Sequence, residues 1–141
     1  MTKFIVYTDG AARGNPGPAA ASFIITSSKG EILVREGLFL GIATNNQAEY
    51  RAVKAVLEKL VLKFGNDLPV KVELCSDSTL VVNQLSGNYK IKNPQIKTFV
   101  LQIKQLESKV GKIFYRHIPR SQNALADEVA NEVLDKQLYE G

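Results

Sequence analysis

Four acidic side chains carry the chemistry open to this sequence. Asp9 closes an apolar run in Thr8-Asp9-Gly10-Ala11, and Asp77 closes another in Cys75-Ser76-Asp77-Ser78. Glu49 follows Thr44-Asn45-Asn46-Gln47-Ala48 in the first turn expected of a long helix, and Asp127 follows Asn123-Ala124-Leu125-Ala126 near the start of another. Carboxylates crowded together repel, and some take up protons unless something neutralises them. Hard divalent cations do so, and Mg²⁺ favours a few carboxylates together with waters and substrate phosphate oxygens. Two such ions can activate a water on one side of a phosphodiester and steady the leaving oxygen on the other. Each acid also has an ordinary reading. Asp9 before Gly10 suits a turn, Glu49 the positive end of a helix dipole, Asp77 an N-cap, and Asp127 a surface partner for a lysine. Spacing alone leaves convergence open.

The elements that must position them follow from the apolar patterns. Lys3 to Asp9 carries apolar residues on both alternating faces, Phe4 and Val6 against Ile5 and Tyr7, as in a central strand covered on both sides. Ala19 to Thr26 and Glu31 to Leu40 read as two more strands, joined by the hairpin composition Ser27-Ser28-Lys29-Gly30. Thr44 and Gln47 have capping-box spacing and start a helix running to about Phe64. Val70 to Ser76 is a strand, and a short helix follows from Asp77 to about Leu85. Pro94 opens another helix at a position where its missing N–H is tolerated. Lys112 to Ile118 is the last strand, and Ser121 or Asn123 caps a final helix reaching about Leu138. The order βββαβααβα describes one α/β domain, residues 1–141, with a mixed sheet. Active sites in open α/β sheets favour the carboxyl ends of strands, where both Asp9 and Asp77 lie.

Composition narrows the class. With 141 residues, 45% of them hydrophobic, the chain can bury a core without disulfides or structural metal. The single Cys75 suits a reducing compartment. No apolar run approaches membrane-spanning length, and the N-terminus lacks a signal-peptide pattern, so a cytoplasmic protein is expected. The formal charge of +4 is unevenly placed: residues 83–120 hold eight Lys/Arg against Glu107 alone, and the rest is net acidic. Such a basic third suits a polyanion-binding enzyme, although for Lys97, Lys104 and Lys109 a solvated helix face explains the charge equally well.

Taken in order, Thr8-Asp9-Gly10-Ala11 with Gly14-Asn15-Pro16-Gly17, Thr44-Asn45-Asn46-Gln47-Ala48-Glu49, Ser76-Asp77-Ser78, and His117-Ile118-Pro119-Arg120 with Asn123 and Ala126-Asp127 resemble type 1 ribonuclease H. Each piece is weakly specific; four in register along nearly the whole chain are highly specific. The resemblance implies a ribonuclease H-like fold, a five-stranded mixed sheet in the order 3-2-1-4-5 flanked by helices. It further implies cleavage of the RNA strand of RNA–DNA hybrids with Mg²⁺, Mn²⁺ being a substitute, leaving 5′-phosphate and 3′-hydroxyl ends. The family's metal ligands map onto Asp9, Glu49, Asp77 and Asp127. His117, the only histidine, matches the family's mobile-loop histidine, linked to proton transfer or product departure, a role suited to an imidazole titrating near neutrality.

A hybrid-specific nuclease must tell 2′-hydroxyls on one strand from their absence on the other. By resemblance, Asn15, Asn45 and Asn46 line the groove, the Gly14 turn brings backbone near the ribose, and Thr44 with Asn46 holds a phosphate of the DNA strand. Turn and cap chemistry is the alternative for the asparagines. Thr79 and Asn83 stand on the helix after Asp77, where some members carry glutamines. Between the helices that follow the third carboxylate only residues 86–93 intervene, so the chain resembles the subgroup without a basic protrusion. Tyr89, Lys90 and Lys92 are the candidates to supply phosphate contacts in its place. For that subgroup duplex RNA stands as a second substrate class, and a monomer is the expected state. The rival readings are a catalytically weak or inactive nucleic-acid-binding module of the same fold, another nuclease of the fold such as an integrase or resolvase-like domain, and a non-enzymatic protein with incidental acids.

Overall fold

The structure, a computed structural model, describes residues 2–140. Five strands form one sheet: β1 (Lys3–Ala12), β2 (Gly17–Ser27), β3 (Ile32–Ala43), β4 (Val70–Ser76) and β5 (Gly111–His117). Their spatial order is β3-β2-β1-β4-β5. The expected order 3-2-1-4-5 is therefore the observed one. β1 pairs antiparallel with β2 and parallel with β4, β2 pairs antiparallel with β3, and β4 pairs parallel with β5. Both parallel steps need crossovers: α1 (Asn45–Phe64) precedes β4, α2 (Thr79–Leu85) and α3 (Pro94–Val110) join β4 to β5, and α4 (Ala124–Asp135) follows β5.

The two faces of β1 explain its composition. Phe4 and Val6 join the main core with Phe23 and Ile25 of β2, Val72 and Leu74 of β4, and Tyr50, Val53, Val56, Leu57 and Leu60 of α1. On the opposite face Tyr7 packs beside Ile24, Ala126 and Val129, so α4 covers the other side. Fully burying one such aliphatic or aromatic side chain contributes about 1.5–3 kcal/mol, which is why so apolar a strand sits in the middle.

Local signals set the helix starts, with some shifts. The Gln47 N–H donates to Thr44 Oγ1 at 3.1 Å and the Thr44 N–H donates to Gln47 Oε1 at 3.0 Å, so the capping box forms. Helix α1 begins at Asn45, which places Glu49 just beyond its first turn rather than within it, and a helix-dipole role falls away. Ser78, not Asp77, caps α2: its hydroxyl accepts from the Val81 N–H at 3.2 Å, leaving the Asp77 carboxylate free for other work. Asn123 stands at the N-cap position of α4 without capping it through its side chain. That helix ends at Asp135, and a π-type turn takes over from Lys136. Among the described residues no helix is long and apolar enough to cross a membrane.

Candidate active site

Parallel pairing of β1 with β4 brings their carboxyl ends together, and with them Asp9 and Asp77. Glu49 reaches the same place because α1 lies against the end of β1. Gly10 permits that approach: a Cβ there would stand 2.3 Å from the Ala48 carbonyl carbon and 2.3 Å from the Glu49 nitrogen, both backbone atoms that cannot swing aside. The Asp-Gly pair that reads as a turn is thus a strand-to-helix contact. The Gly10 N–H then donates to Glu49 Oε1 at 2.8 Å and fixes the carboxylate beside Asp9. One oxygen from each of Asp9, Glu49 and Asp77 lies within 4.8 Å of the others.

These acids are held at an electrostatic cost. Asp9 and Glu49 are buried, and Asp77 is half-buried. Burial, then the neighbouring Asp77 charge, pushes the Asp9 carboxyl up to about 7. Burial first and Asp9 second push Glu49 well above the usual carboxylate range. Glu49 Oε2 is buried with no hydrogen-bond partner, although buried polar atoms are nearly always satisfied. A donor set of clustered carboxylates with one orphaned oxygen is compatible with a divalent metal ion, which would engage that oxygen and stabilise the ionised forms.

The three acids open into a cleft of about 490 Å³ that also receives Asp127, Arg120, Asn131 and Arg13. Asp127 lies in the first turn of α4. Its Oδ1 accepts from Asn131 Nδ2 at 3.3 Å and lies 3.8 Å from an Arg120 nitrogen, so its cationic neighbour is an arginine and not a lysine. Arg13 is tied to Asp135 at 2.6 Å. Asn123, expected as a cap, is buried and instead donates its amide to the Thr8 carbonyl at 2.9 Å and to Asp77 Oδ2 at 3.3 Å. It couples the start of α4 to β1 and orients Asp77. Its residue type suits a cap equally well, and only the long-range packing distinguishes the two.

A second hollow of about 560 Å³ adjoins the cleft and shares Asn45 and Asn46 with it. Asn15, Thr44, Lys90 and Lys92 line it too. Asn15 and Asn45 have one arrangement in common: the Asn45 N–H donates to Asn15 Oδ1 at 3.0 Å, and the Ala12 N–H donates to Asn45 Oδ1 at 2.9 Å. Each amide oxygen is spent on backbone, so each NH₂ remains as a donor for the groove. Five further candidates do not line either hollow. Gly14 occupies an exposed turn at φ +101°, a backbone state that favours glycine. Thr79 is exposed, and Asn83 donates to the Thr79 carbonyl at 2.8 Å, closing on its own helix. Tyr89 is exposed on the link, and His117 is exposed at the end of β5, paired with Ser76 one residue before Asp77. The groove-facing positions of α2 are Leu80 and Gln84, joined across the hollow by Gln47 and Gln95. Gln84 also receives the Tyr50 hydroxyl. The register of α2 hid these residues, since Ser78 as cap, with Val81, Val82 and Leu85 as its buried stripe, turns Leu80 and Gln84 toward the hollow and Thr79 and Asn83 away from it.

Comparison with known proteins agrees with this geometry. A family model described as "Reverse transcriptase-like" matches residues 7–133. Ribonuclease HI of Halobacterium salinarum is 42% identical over 129 residues, covering 92% of this chain and 63% of that protein. A bifunctional protein of Mycobacterium tuberculosis is 37% identical over 134 residues, covering 94% of this chain and 36% of that one. The chain thus spans less than two thirds of the length of either relative. The structure of LC11-RNase H1, isolated from compost by a metagenomic approach, superposes with a TM-score of 0.92 at 45% identity, covering 98% of this chain and 99% of that one. A crystal structure of LC11-RNase H1 in complex with an RNA/DNA hybrid gives a TM-score of 0.92 at 43% identity, covering 96% and 99%. With the sheet order, the carboxylate cluster and these matches in agreement, the chain belongs to the type 1 ribonuclease H family.

Proposed function

We propose that this protein is an endoribonuclease that hydrolyses the RNA strand of RNA–DNA hybrids, leaving 5′-phosphate and 3′-hydroxyl ends. The observation that carries the reading is the Asp9–Glu49–Asp77 cluster opening beside a groove lined with amide donors. Asp9, Glu49, Asp77 and Asp127 would hold two Mg²⁺ ions, with Mn²⁺ as a substitute. Bound there, the metal supplies a neutralising charge for phosphate and an activated water. The residues of the chain do the rest. Gly10 and Asn123 keep Glu49 and Asp77 aimed at one point, and burial excludes competing solvent. Asn15, Asn45 and Asn46 present N–H donors, which suit 2′-hydroxyls and the acceptor-rich minor-groove edge of bases. Thr44 with Asn46 would hold a phosphate of the DNA strand, and Lys90 and Lys92 would add charge along the groove.

His117 stands at the exposed end of β5 beside the Ser76–Asp77 segment, in reach of solvent, and this suits proton exchange with departing product better than direct attack. Residues 1–141 would act as a single domain and as a monomer, in the cytoplasm, where the buried thiol of Cys75 stays reduced. The test is incubation of pure protein and Mg²⁺ with a hybrid, beside duplex DNA, single-stranded RNA and duplex RNA. Selective loss of the RNA strand of the hybrid is expected, and Asp9→Asn and Asp77→Asn should abolish it with the fold intact. Cleavage of none of these substrates across a range of metal concentrations would overturn the proposal.

A further inference from the structure

Helix α4 packs on β1, β2 and β3, whereas α2 and α3 meet β4 and β5 from the opposite side, in the core shared with α1. Among the described residues none of the four helices covers the α4 side of β4 and β5. Register sets the uncovered side chains in rows. Lys3, Lys71 and Lys112 are direct neighbours across β1, β4 and β5. Two residues further along, Glu73 and Phe114 are neighbours, and two further still stands Arg116. Neighbouring strands lie about 4.8 Å apart, and like charges directly opposite one another are destabilising. An open face must be polar, yet interleaved signs would satisfy that need without the repulsion. The one acid, Glu73, serves Arg116 at 3.0 Å and Lys3 at 4.0 Å. Lys71 and Lys112 have no acidic partner within ion-pair distance among the described residues. Protection of a sheet edge explains a lysine on β5, but β1 and β4 are interior strands.

Phe114 completes the pattern. It is 52% exposed, and the Lys112 ammonium lies 5.0 Å from its ring centroid. An exposed aromatic ring flanked by cations on a bare sheet face offers a stacking platform for a base and partners for the phosphates on either side. Continuing along β1 and β4 in the same alternation leads to Asp9 and Asp77, about 20 Å from the lysine row.

We propose that this open face binds single-stranded nucleic acid, with phosphates on Lys71 and Lys112 and a base stacked on Phe114. The track is separate from the amide groove and carries an unpaired strand that extends from the cleft. It goes beyond hybrid cleavage and does not depend on it. The test is fluorescence anisotropy with labelled oligo(dT) and oligo(rU) in EDTA, comparing the wild type with the triple variant Lys71→Ala, Lys112→Ala, Phe114→Ala. Affinity should fall by about tenfold or more, the loss of one stacked base and two phosphate contacts. The unfolding midpoint and cleavage of a blunt hybrid should stay unchanged, since none of the three residues lines the cleft or the groove. The dT and rU arms show whether DNA or RNA is the preferred strand. Unchanged oligonucleotide affinity in the variant would overturn the proposal. So would complete displacement of the oligonucleotide by blunt hybrid, which assigns binding to the groove, or equal binding of a Glu-rich peptide, which assigns the face to a protein partner. A failure of hybrid cleavage in the wild type would count against the nuclease reading alone.

Discussion

The Gly10 N–H donates 2.8 Å to Glu49 Oε1 across the junction of β1 and α1, and nothing larger than hydrogen fits on the Gly10 α-carbon. Strand, helix and carboxylate are therefore set by one contact. Gly10→Ala must push α1 away from the sheet, an overpacking that costs about 1–3 kcal/mol or more. Glu49 should withdraw with the helix, so activity should fall further than the lost stability explains. Urea unfolding and hybrid cleavage on the same preparation check this. Wild-type activity in a destabilised variant would show that Glu49 does not need the contact.

Proton uptake by the carboxylates gives the metal-free protein an unusual pH dependence. Asp9 titrates near 7 in the fold against an ordinary carboxyl value of 3.8, and Glu49 shifts in the same direction. A raised folded-state value means that the contribution to stability is complete below about 4 and is lost as pH rises through about 7. In EDTA the unfolding midpoint should fall between about pH 5 and pH 8, and Asp9→Asn should flatten that fall. Divalent cations bind the ionised form, so Mg²⁺ should raise the wild-type midpoint at about pH 8 and do little at about pH 5. Differential scanning calorimetry with and without chelator decides it. A midpoint in EDTA that climbs toward pH 8 would contradict the burial of these charges.

Much of this is legible in the residues, and what is not has a physical cause. The strand faces and the Thr44–Gln47 box follow from period-two patterning and capping chemistry, which act locally. The parallel approach of Asp9 and Asp77 depends instead on long-range strand pairing and is legible only through the sheet order that the family resemblance implies. Glu49's place just past the first turn of α1 and the Ser78 cap moved by a residue or two, within the usual fraying of helix starts. The roles of Gly10 and of the Asn123 side chain are not legible for a different reason. Both residue types are at home in turns and caps, and their real roles depend on segments 39 and 115 residues away. Gln84 was missed because the burial stripe of a two-turn helix is too short to fix its rotation.

The asparagine arrangement separates structure from recognition. Asn45 spends its oxygen on the Ala12 N–H and keeps its NH₂ for the groove. Asn45→Asp retains the acceptor and removes the donor, so β1 and α1 should stay joined while the hybrid loses a hydrogen bond and meets a new negative charge. Affinity should drop by about tenfold or more, with an unchanged unfolding midpoint once the divalent cation is matched. Asn45→Ala, by contrast, leaves the Ala12 N–H without its partner and should lower both. If Asn45→Asp binds hybrid as tightly as the wild type, the free NH₂ takes no part in recognition.

Lys90 and Lys92 sit on the short link between α2 and α3 and face the same hollow as Asn15 and Asn46. Lys104, further along the basic third, is spent on the Leu85 carbonyl at 2.8 Å and on Glu107 at 3.1 Å, so charge alone does not mark a phosphate contact. Neutralising each phosphate releases a counterion, and the slope of log affinity against log salt falls by about 0.7–0.9 for each contact removed. Lys90→Ala with Lys92→Ala should therefore raise KM for hybrid, leave kcat unchanged, and flatten the salt dependence by between one and two such steps. Lys104→Ala should leave the salt slope as it is. Identical slopes for the wild type and the Lys90/Lys92 double variant would place the phosphate backbone elsewhere on the protein.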